Sequence, residues 1–298
     1  MREQFINKRF NRASREMIEQ ANVILGKYFA DGYIMTLRQL HYQFVSRDLY
    51  ANTPQNYKRL GSVMSDARLA GLVDWGMMED RLRELDRSPR WESPASIVEA
   101  VADQYKEDLW QGQKYRPEIW IEKDALAGVI EPVCRELRID FFACRGYVSQ
   151  SAQYEASKRF LRYRHAKQTP IVFHFGDHDP SGLDMTRENR EKFALLTGLN
   201  IELRRLALNI DQVREYNPPP NFAKITDTRA AGYIEQFGEE SWELDALDPP
   251  VLAALIRENV EALIDRDLWQ KRYRDEATNK DKLQAVSERW EDVAEFVS

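Results

Sequence analysis

Two aspartates that follow a short apolar segment are the most chemically suggestive residues in the chain. Residues 170–173 are apolar and β-branched, which predicts a buried strand, and Asp177 and Asp179 follow it in a Gly-Asp-His-Asp-Pro-Ser-Gly stretch. A tight turn beyond a strand end can aim both carboxylates into one crevice. Paired carboxylates are the ligands that Mg²⁺ requires. An acidic surface turn has the same composition.

A third carboxylate ends another predicted strand. Glu122 lies at the C-terminal end of an apolar segment over residues 118–124. Parallel strands end at the same edge of a sheet, so Glu122 and the two aspartates are expected to share one crevice. Three carboxylates there would repel one another without a cation, which favours a metal site over a surface turn.

Two histidines flank the aspartates. His174 and His178 raise the alternative of a zinc or manganese site. With no third histidine or cysteine at ligand spacing, we interpret them as surroundings of the site.

A tyrosine and an arginine on one predicted helix form a second candidate pair. Thr36 is the predicted N-cap of a helix over residues 37–46. At about 100° per residue, Tyr42 projects roughly 150° from the middle of the apolar stripe of that helix. It lies beside Arg38, one turn earlier, which could bind a phosphate or lower the pKa of the phenol. A tyrosine attacking a phosphodiester needs such a neighbour, but a tyrosine packed against another element fits equally well.

The first 90 residues are predicted to form a small helical domain. Predicted helices cover residues 11–30, 37–46 and 55–70, and a strand-like piece covers residues 72–75. This order is typical of a winged helix-turn-helix domain, in which Lys58, Arg59 and Arg68 would face DNA phosphates. An ordinary helical domain has the same pattern.

Strands and helices alternate in the middle of the chain. Predicted strands cover residues 118–124, 139–144, 170–173 and 201–206, and predicted helices cover residues 125–137, 152–165 and 183–196. The alternation predicts an α/β fold with a mostly parallel sheet covered on both faces. We divide the chain into a winged-helix-like domain (1–92), a linker (93–116), an α/β domain (117–237) and an acidic helical tail (238–298).

Charge is distributed unevenly along the chain. The whole sequence has a formal net charge of -6, yet residues 1–90 hold 15 Lys and Arg against 11 Asp and Glu. Residues 238–298 hold 8 against 16. A basic head before an acidic body would place any DNA contact mainly in the head, although a solvated surface produces the same excess.

Composition also bears on the location of the protein. No apolar run approaches a membrane span, and the N-terminus does not have the pattern of a signal peptide. Cys134 and Cys144 lack the spacing of a metal motif or a disulfide framework. We expect a cytoplasmic protein without a membrane partner.

Three short motifs together resemble the Toprim domain of topoisomerases, bacterial primases and some nucleases. They are Ile-Glu-Lys at residues 121–123, Arg-Gly-Tyr at 145–147 and Gly-Asp-x-Asp-Pro-x-Gly at 176–182. The arrangement is similar to that of the topoisomerase VI A subunit and the related meiotic break-forming proteins, which place a winged-helix domain before the Toprim domain. Their Thr/Ser-x-Arg-x-x-Tyr-Tyr motif is similar to residues 36–42, where Tyr42 matches the second, catalytic tyrosine and His41 replaces the first.

The resemblance implies Mg²⁺-dependent cleavage of double-stranded DNA. Tyr42 would attack the phosphate and form a 5′-phosphotyrosine link, and Arg38 would stabilise the developing charge. Glu122 would act as general acid/base or as an additional magnesium ligand. Asp177 and Asp179 would bind Mg²⁺.

The resemblance also implies partners. Arg145 is expected to contribute to DNA binding, and the family forms homodimers in which the tyrosine of one subunit meets the acidic site of the other. This chain has no Gly-rich phosphate loop, so strand passage would need a separate ATPase subunit. Its compact length resembles the short A-subunit-like proteins of phages and other mobile elements.

Two other functions stay open from the sequence. A Toprim nuclease would use metal-activated water, leave Tyr42 structural and produce free 5′-phosphate ends. A DNA-binding or assembly protein would no longer cleave, although the intact Glu122, Asp177 and Asp179 count against a decayed site.

Overall fold

The computed structural model of the chain describes residues 2–78, 90–222 and 230–297. The α-helices in those residues are α1 (Arg12–Ala30), α2 (Leu37–Ser46), α3 (Pro54–Leu69), α4 (Pro94–Gln104), α5 (Ala127–Glu136), α6 (Gln150–His165), α7 (Pro180–Thr197), α8 (Ile210–Tyr216), α9 (Ala230–Phe237), α10 (Pro249–Glu261), α11 (Arg266–Glu288) and α12 (Trp290–Val297). The strands are β1 (Tyr115–Ile121), β2 (Asp140–Ala143), β3 (Thr169–Phe175), β4 (Glu202–Ala207), β5 (Asn221–Phe222) and β6 (Glu240–Ser241).

A four-stranded parallel sheet forms the centre of the molecule, which confirms the predicted α/β class. Its strand order is β2-β1-β3-β4. The chain moves outward from β1 to β2, crosses back through α6 to β3, and then continues outward to β4. The connections therefore diverge between β1 and β3, and the crevice at the carboxyl ends of those strands is where open α/β sheets bind ligands.

Side chains of the central strands alternate between two cores, as the period of a strand requires. Ile121 and Phe175 belong to the core shared with α5 and α10. Trp120 faces the other way and packs with Phe160 and Phe193, which come from α6 and α7. Helices cover both faces of the sheet, so its central strands are buried on both sides.

The first three helices surround a separate core. Leu25, Leu40, Phe44 and Leu60 are fully buried in it. Thr36 caps α2, since its hydroxyl accepts a hydrogen bond from the backbone N–H of Gln39. The three predicted N-terminal helices are confirmed.

The strand-like piece predicted at residues 72–75 is wrong. Trp75–Met77 is a short 3₁₀ helix instead. Asp74 begins it, since its carboxylate accepts a hydrogen bond of 2.9 Å from the N–H of Gly76, a local bond that competes with strand pairing. Residues 79–89 of the predicted winged-helix-like domain lie outside the described residues.

The C-terminal helices pack against the rest of the molecule. Leu252, Ile256 and Val260 of α10 belong to the main core beside α5. α11 lies along α4, so the predicted linker and the predicted tail contact each other. Among the described helices, none is long and apolar enough to cross a membrane.

Candidate active site

A cleft of about 770 Å³ lies where α2 approaches the carboxyl ends of β1 and β3. Tyr42 and Arg38 line it from α2, and Glu122, Asp177 and Asp179 line it from the sheet. The two candidate groups, predicted separately in the sequence, therefore meet in one cleft of one chain.

The turn after β3 is held in a shape that only small residues permit. The N–H of Asp177 donates a 2.9 Å hydrogen bond to Oε2 of Glu122. A Cβ on Gly176 would lie 2.9 Å from the same oxygen, and a Cβ on Gly182 would lie 2.2 Å from the carbonyl oxygen of Asp177. Gly182 is therefore required for the close approach of the turn to itself, because the opposing atom is backbone, whereas a Cβ on Gly176 would displace the carboxylate of Glu122.

Asp179 begins the helix that follows the turn. Its Oδ1 accepts a 2.6 Å hydrogen bond from the N–H of Gly182, so it is the N-cap of α7. Part of its hydrogen-bonding capacity thus stabilises the helix terminus.

Arg205 supports the turn from β4. Its guanidinium donates to the carbonyl oxygens of Gly176, Asp177 and Gly182 at 2.9, 2.5 and 2.9 Å. Burial lowers its pKa to about 10, although Glu122 and the two aspartates favour the charged form. Sequence analysis missed this residue, because one arginine in an alternating strand carries no distinctive signal.

Lys123 is the counter-ion of the acidic cluster. Its Nζ lies 2.9 Å from Oδ1 of Asp177, 2.8 Å from Oε2 of Glu243 and 3.1 Å from Oδ2 of Asp245. Burial disfavours the ammonium, but Asp245, Asp177 and Glu243 together raise the pKa of Lys123. The sequence-based inference that these carboxylates need a bound cation is therefore incomplete, because the chain supplies a cation itself.

The carboxylates match the donor chemistry of Mg²⁺, but they do not form a ready-made metal centre. Within the described ranges, no group of three or more His, Cys, Asp or Glu residues is arranged to hold a metal ion. The hydrogen bonds and the ion pair described above use one oxygen each of Glu122, Asp177 and Asp179. The second oxygens are of the kind that Mg²⁺ prefers together with water.

The protonation of two carboxyls is shifted by the cleft. Burial, and then the charge of Asp177, raises the pKa of Glu122 to about 7. Burial also raises the pKa of Asp177, although the adjacent Lys123 opposes the shift. Glu122 can therefore gain or lose a proton near neutral pH, as a general acid/base requires.

Tyr42 is buried at the edge of the cleft, with 4% of its surface exposed. Asn221 Nδ2 contacts both its hydroxyl, at 3.5 Å, and Oε1 of Glu243, at 3.3 Å. Burial and then the charge of Glu243 raise the pKa of Tyr42 to about 12. Arg38 lowers that pKa, as its position on α2 suggested, but it does not outweigh the other two effects.

Arg38 is held by two acidic residues that sequence analysis undervalued. Its guanidinium forms an ion pair with Glu243, and its Nε lies 3.1 Å from Oδ2 of Asp245. In the sequence alone, Glu243 and Asp245 are typical of ordinary acids at the start of a helix. They instead join Arg38 to Lys123 across the cleft, and only the tertiary fold brings these distant segments together.

The predicted DNA-contacting residues differ in their surroundings. Lys58 and Arg59 are exposed on α3. Arg68 lies 4.4 Å from the ring centroid of Trp75 and donates to backbone carbonyls in the 3₁₀ region. Arg145 is exposed and lies 3.1 Å from Asp124.

The histidines beside the aspartates are engaged with the protein. His174 is hydrogen-bonded to the hydroxyl of Thr186 at 2.9 Å, and His178 to that of Tyr233 at 2.8 Å. Burial lowers their pKa values to about 3 and about 4, respectively. Both are expected to be neutral at physiological pH and to support the turn.

No family model matches the chain, and no curated protein matches it.

Proposed function

We propose that this chain is a Mg²⁺-dependent DNA-cleaving transesterase of the topoisomerase VI A type, with a winged-helix-like domain before a Toprim-like domain. One observation carries the proposal: Tyr42 and Arg38 line the same cleft as Glu122, Asp177 and Asp179. A nucleophile, a cation for phosphate and a carboxylate set for a divalent metal are the parts that this reaction needs.

The proposed reaction is a phosphoryl transfer to the phenol. Tyr42 Oη forms a bond to phosphorus while the bond to the 3′ oxygen of the preceding nucleotide breaks, which leaves a 5′-phosphotyrosine and a free 3′ hydroxyl. The phenol must lose its proton, because its pKa of about 12 keeps it protonated at neutral pH. Glu122 is the group with a pKa suited to accept or return that proton.

Charge on the phosphate is balanced by groups in the cleft. Arg38 is half exposed and paired with Glu243, so a DNA phosphate would compete with that carboxylate for the guanidinium. Mg²⁺, bound by Asp177 and Asp179, would supply Lewis-acid stabilisation of the phosphate charge and leave Glu122 to act on the proton.

A covalent-trapping assay tests the proposal. Purified protein is incubated with labelled supercoiled DNA and Mg²⁺ and then denatured with detergent, which preserves a covalent link. Wild-type protein should retain label, and Tyr42→Phe and Asp177→Ala should not.

Tyr57→Phe is the matched control, because Tyr57 lines the same cleft. Loss of the covalent product in Tyr42→Phe with retention in Tyr57→Phe supports the proposal. Cleavage that survives in Tyr42→Phe but not in Asp177→Ala contradicts it.

A second candidate function, hydrolysis by metal-activated water, is favoured by the state of the tyrosine. Tyr42 is buried and its pKa is raised to about 12, which is unfavourable for a nucleophile. In that case the products would carry free 5′ phosphates, and Tyr42 would have a structural role.

A further inference from the structure

We propose that the exposed face of α6 is a binding surface for the backbone of double-stranded DNA, continuous with the cleft. We define this α6 surface by Tyr154, Lys158 and Arg162. This inference rests on the proposed function, and it concerns DNA contacts away from the residues that react.

The segment from the middle of α6 to the end of β3 is basic, in contrast to the chain as a whole. Residues 156–176 contain no Asp or Glu, whereas the whole chain has a net charge of -6. The same segment holds Lys158, Arg159, Arg162, Arg164 and Lys167. A local basic surface on an acidic protein attracts a polyanion specifically to that place.

The α6 surface is a stripe on one side of the helix. Its members are spaced four residues apart, so they lie on neighbouring turns of the same face. All of them are exposed. The ammonium of Lys158 lies 5.0 Å from the ring centroid of Tyr154, which is 47% exposed.

The cations of this surface are not neutralised by acids in the described parts of the chain. No ion pair to Lys158 or Arg162 occurs there. Arg257 and Arg289, by contrast, pair with Glu136 and Asp292 at 2.6 and 3.0 Å. Glu155 is the one acidic residue within α6, and the two cations are therefore available to phosphates.

The surface begins at the edge of the cleft. Tyr147 lines the cleft beside Asp179 and is 42% exposed. Two residues later Ser149 caps α6, and this helix runs from the end of β2 back to the start of the parallel strand β3, away from the sheet edge where the cleft lies. We therefore expect a duplex with its scissile phosphate in the cleft to place further phosphates along this stripe.

Phosphate contacts of this kind add affinity without sequence preference. Each lost contact lowers the dependence of log K on log salt concentration by about 0.9 for duplex DNA. Neutralising both cations should therefore reduce the magnitude of the slope of log K against log salt concentration by about 1.8. Binding at low salt should weaken roughly tenfold.

The test measures binding of a fluorescent duplex by anisotropy over a range of salt concentrations, with the full chain. The variant Lys158→Gln/Arg162→Gln is compared with Arg257→Gln/Arg289→Gln, which has the same change in net charge. We expect weaker binding and a flatter salt dependence in the first variant only. Circular dichroism and the thermal midpoint check that both variants fold.

Several outcomes would overturn the inference. Equal salt dependence of DNA binding in the two variants would overturn it. The proposed function would stand in that case if wild-type protein still gives the covalent product. A change in oligomeric state with unchanged DNA binding would assign the surface to a second copy of the chain. Failure of the wild-type chain to bind duplex DNA would remove both proposals.

Discussion

Lys123 contacts carboxylates from two distant parts of the sequence and neutralises a cluster that would otherwise repel itself. Asp177 follows β3, whereas Glu243 and Asp245 lie more than 60 residues later. Asp245 is 2% exposed, and its Oδ1 has no hydrogen-bond partner in the described structure. Burying such charges is costly unless they are paired. The ammonium of Lys123 is thus a structural requirement as well as a feature of the cleft.

Replacement of Lys123 should expose that requirement. Lys123→Met leaves Asp177, Glu243 and Asp245 without their shared cation, so we expect a loss of about 3–5 kcal/mol in the free energy of unfolding. Urea denaturation measures the loss, and Lys167→Met, on an exposed lysine, is the control. If the carboxylates bind Mg²⁺, added Mg²⁺ should raise the thermal midpoint of Lys123→Met more than that of wild-type protein. Equal stability of Lys123→Met and wild type would contradict this role.

His174 should make stability depend on acid. Its pKa is lowered by burial from 6.5 to about 3, so the unfolded chain binds more protons between those values. Stability due to His174 is therefore complete above pH 6.5 and is lost as the pH falls toward 3, by about 2 kcal/mol at pH 5. His174→Gln should show a shallower decrease in unfolding free energy from pH 7 to pH 5. His165→Gln, at an exposed histidine, should match wild type, and equal acid sensitivity in all three proteins would refute the prediction.

At the scale of elements, the turn between β3 and α7 positions both aspartates. It is tied to β1 through Glu122, to β4 through Arg205, and to itself through the cap formed by Asp179. These contacts come from separate strands, so the turn is specified by the sheet as well as by its own residues.

Gly182→Ala should disturb this turn selectively. The added Cβ would lie 2.2 Å from the carbonyl oxygen of Asp177, so the backbone must shift at a cost of about 1–3 kcal/mol. Cleavage should fall more than DNA binding, because Asp177 moves while the basic surfaces do not. Gly26→Ala is the control, since its Cβ would meet nothing within 4 Å in the middle of α1. An active Gly182→Ala protein with wild-type stability would show that the turn tolerates displacement.

Local signals predicted the elements better than the chemistry of the side chains they carry. The predicted helix at residues 37–46 matches α2, because its cap and apolar stripe are local. The protonation of Tyr42 was not predictable, since Glu243 and Asn221 reach it from about 200 and 180 residues away. The failed strand at residues 72–75 shows the same limit, since a side-chain hydrogen bond of Asp74 decides its conformation.

At the scale of the whole molecule, strand order explains why the acidic residues could be predicted as a group. Glu122 and Asp177 follow adjacent parallel strands. The alternation of strands and helices implied that both residues end parallel strands at one sheet edge, but it did not imply that these two strands are neighbours. Nothing in the sequence indicated that α2 would lie above the same sheet edge. Nor did it indicate that Glu243 and Asp245 would connect Arg38 of α2 to Lys123 after β1. Those contacts depend on packing between distant segments.

The location of the tyrosine and the acidic residues in one chain predicts how a mixture of two inactive variants behaves. Tyr42 and Asp177 line one cleft of the same chain, so an equal mixture of Tyr42→Phe and Asp177→Ala should not recover covalent cleavage. The family resemblance implies the opposite for a homodimer, because one composite site of a mixed dimer would retain both groups. The mixture is assayed after co-refolding, with wild-type protein mixed with each variant as the control. Recovered cleavage would show that the active cleft is formed between subunits.

The most direct measurement is the identity of the bond between protein and DNA. Protein incubated with DNA and Mg²⁺ is denatured and digested with nuclease and protease, and the peptides are analysed by mass spectrometry. The proposed mechanism predicts a nucleotide joined through its 5′ phosphate to the peptide that contains Tyr42, together with free 3′ hydroxyl ends on the cleaved DNA. Cleaved DNA with free 5′ phosphates and an unmodified Tyr42 peptide would contradict it.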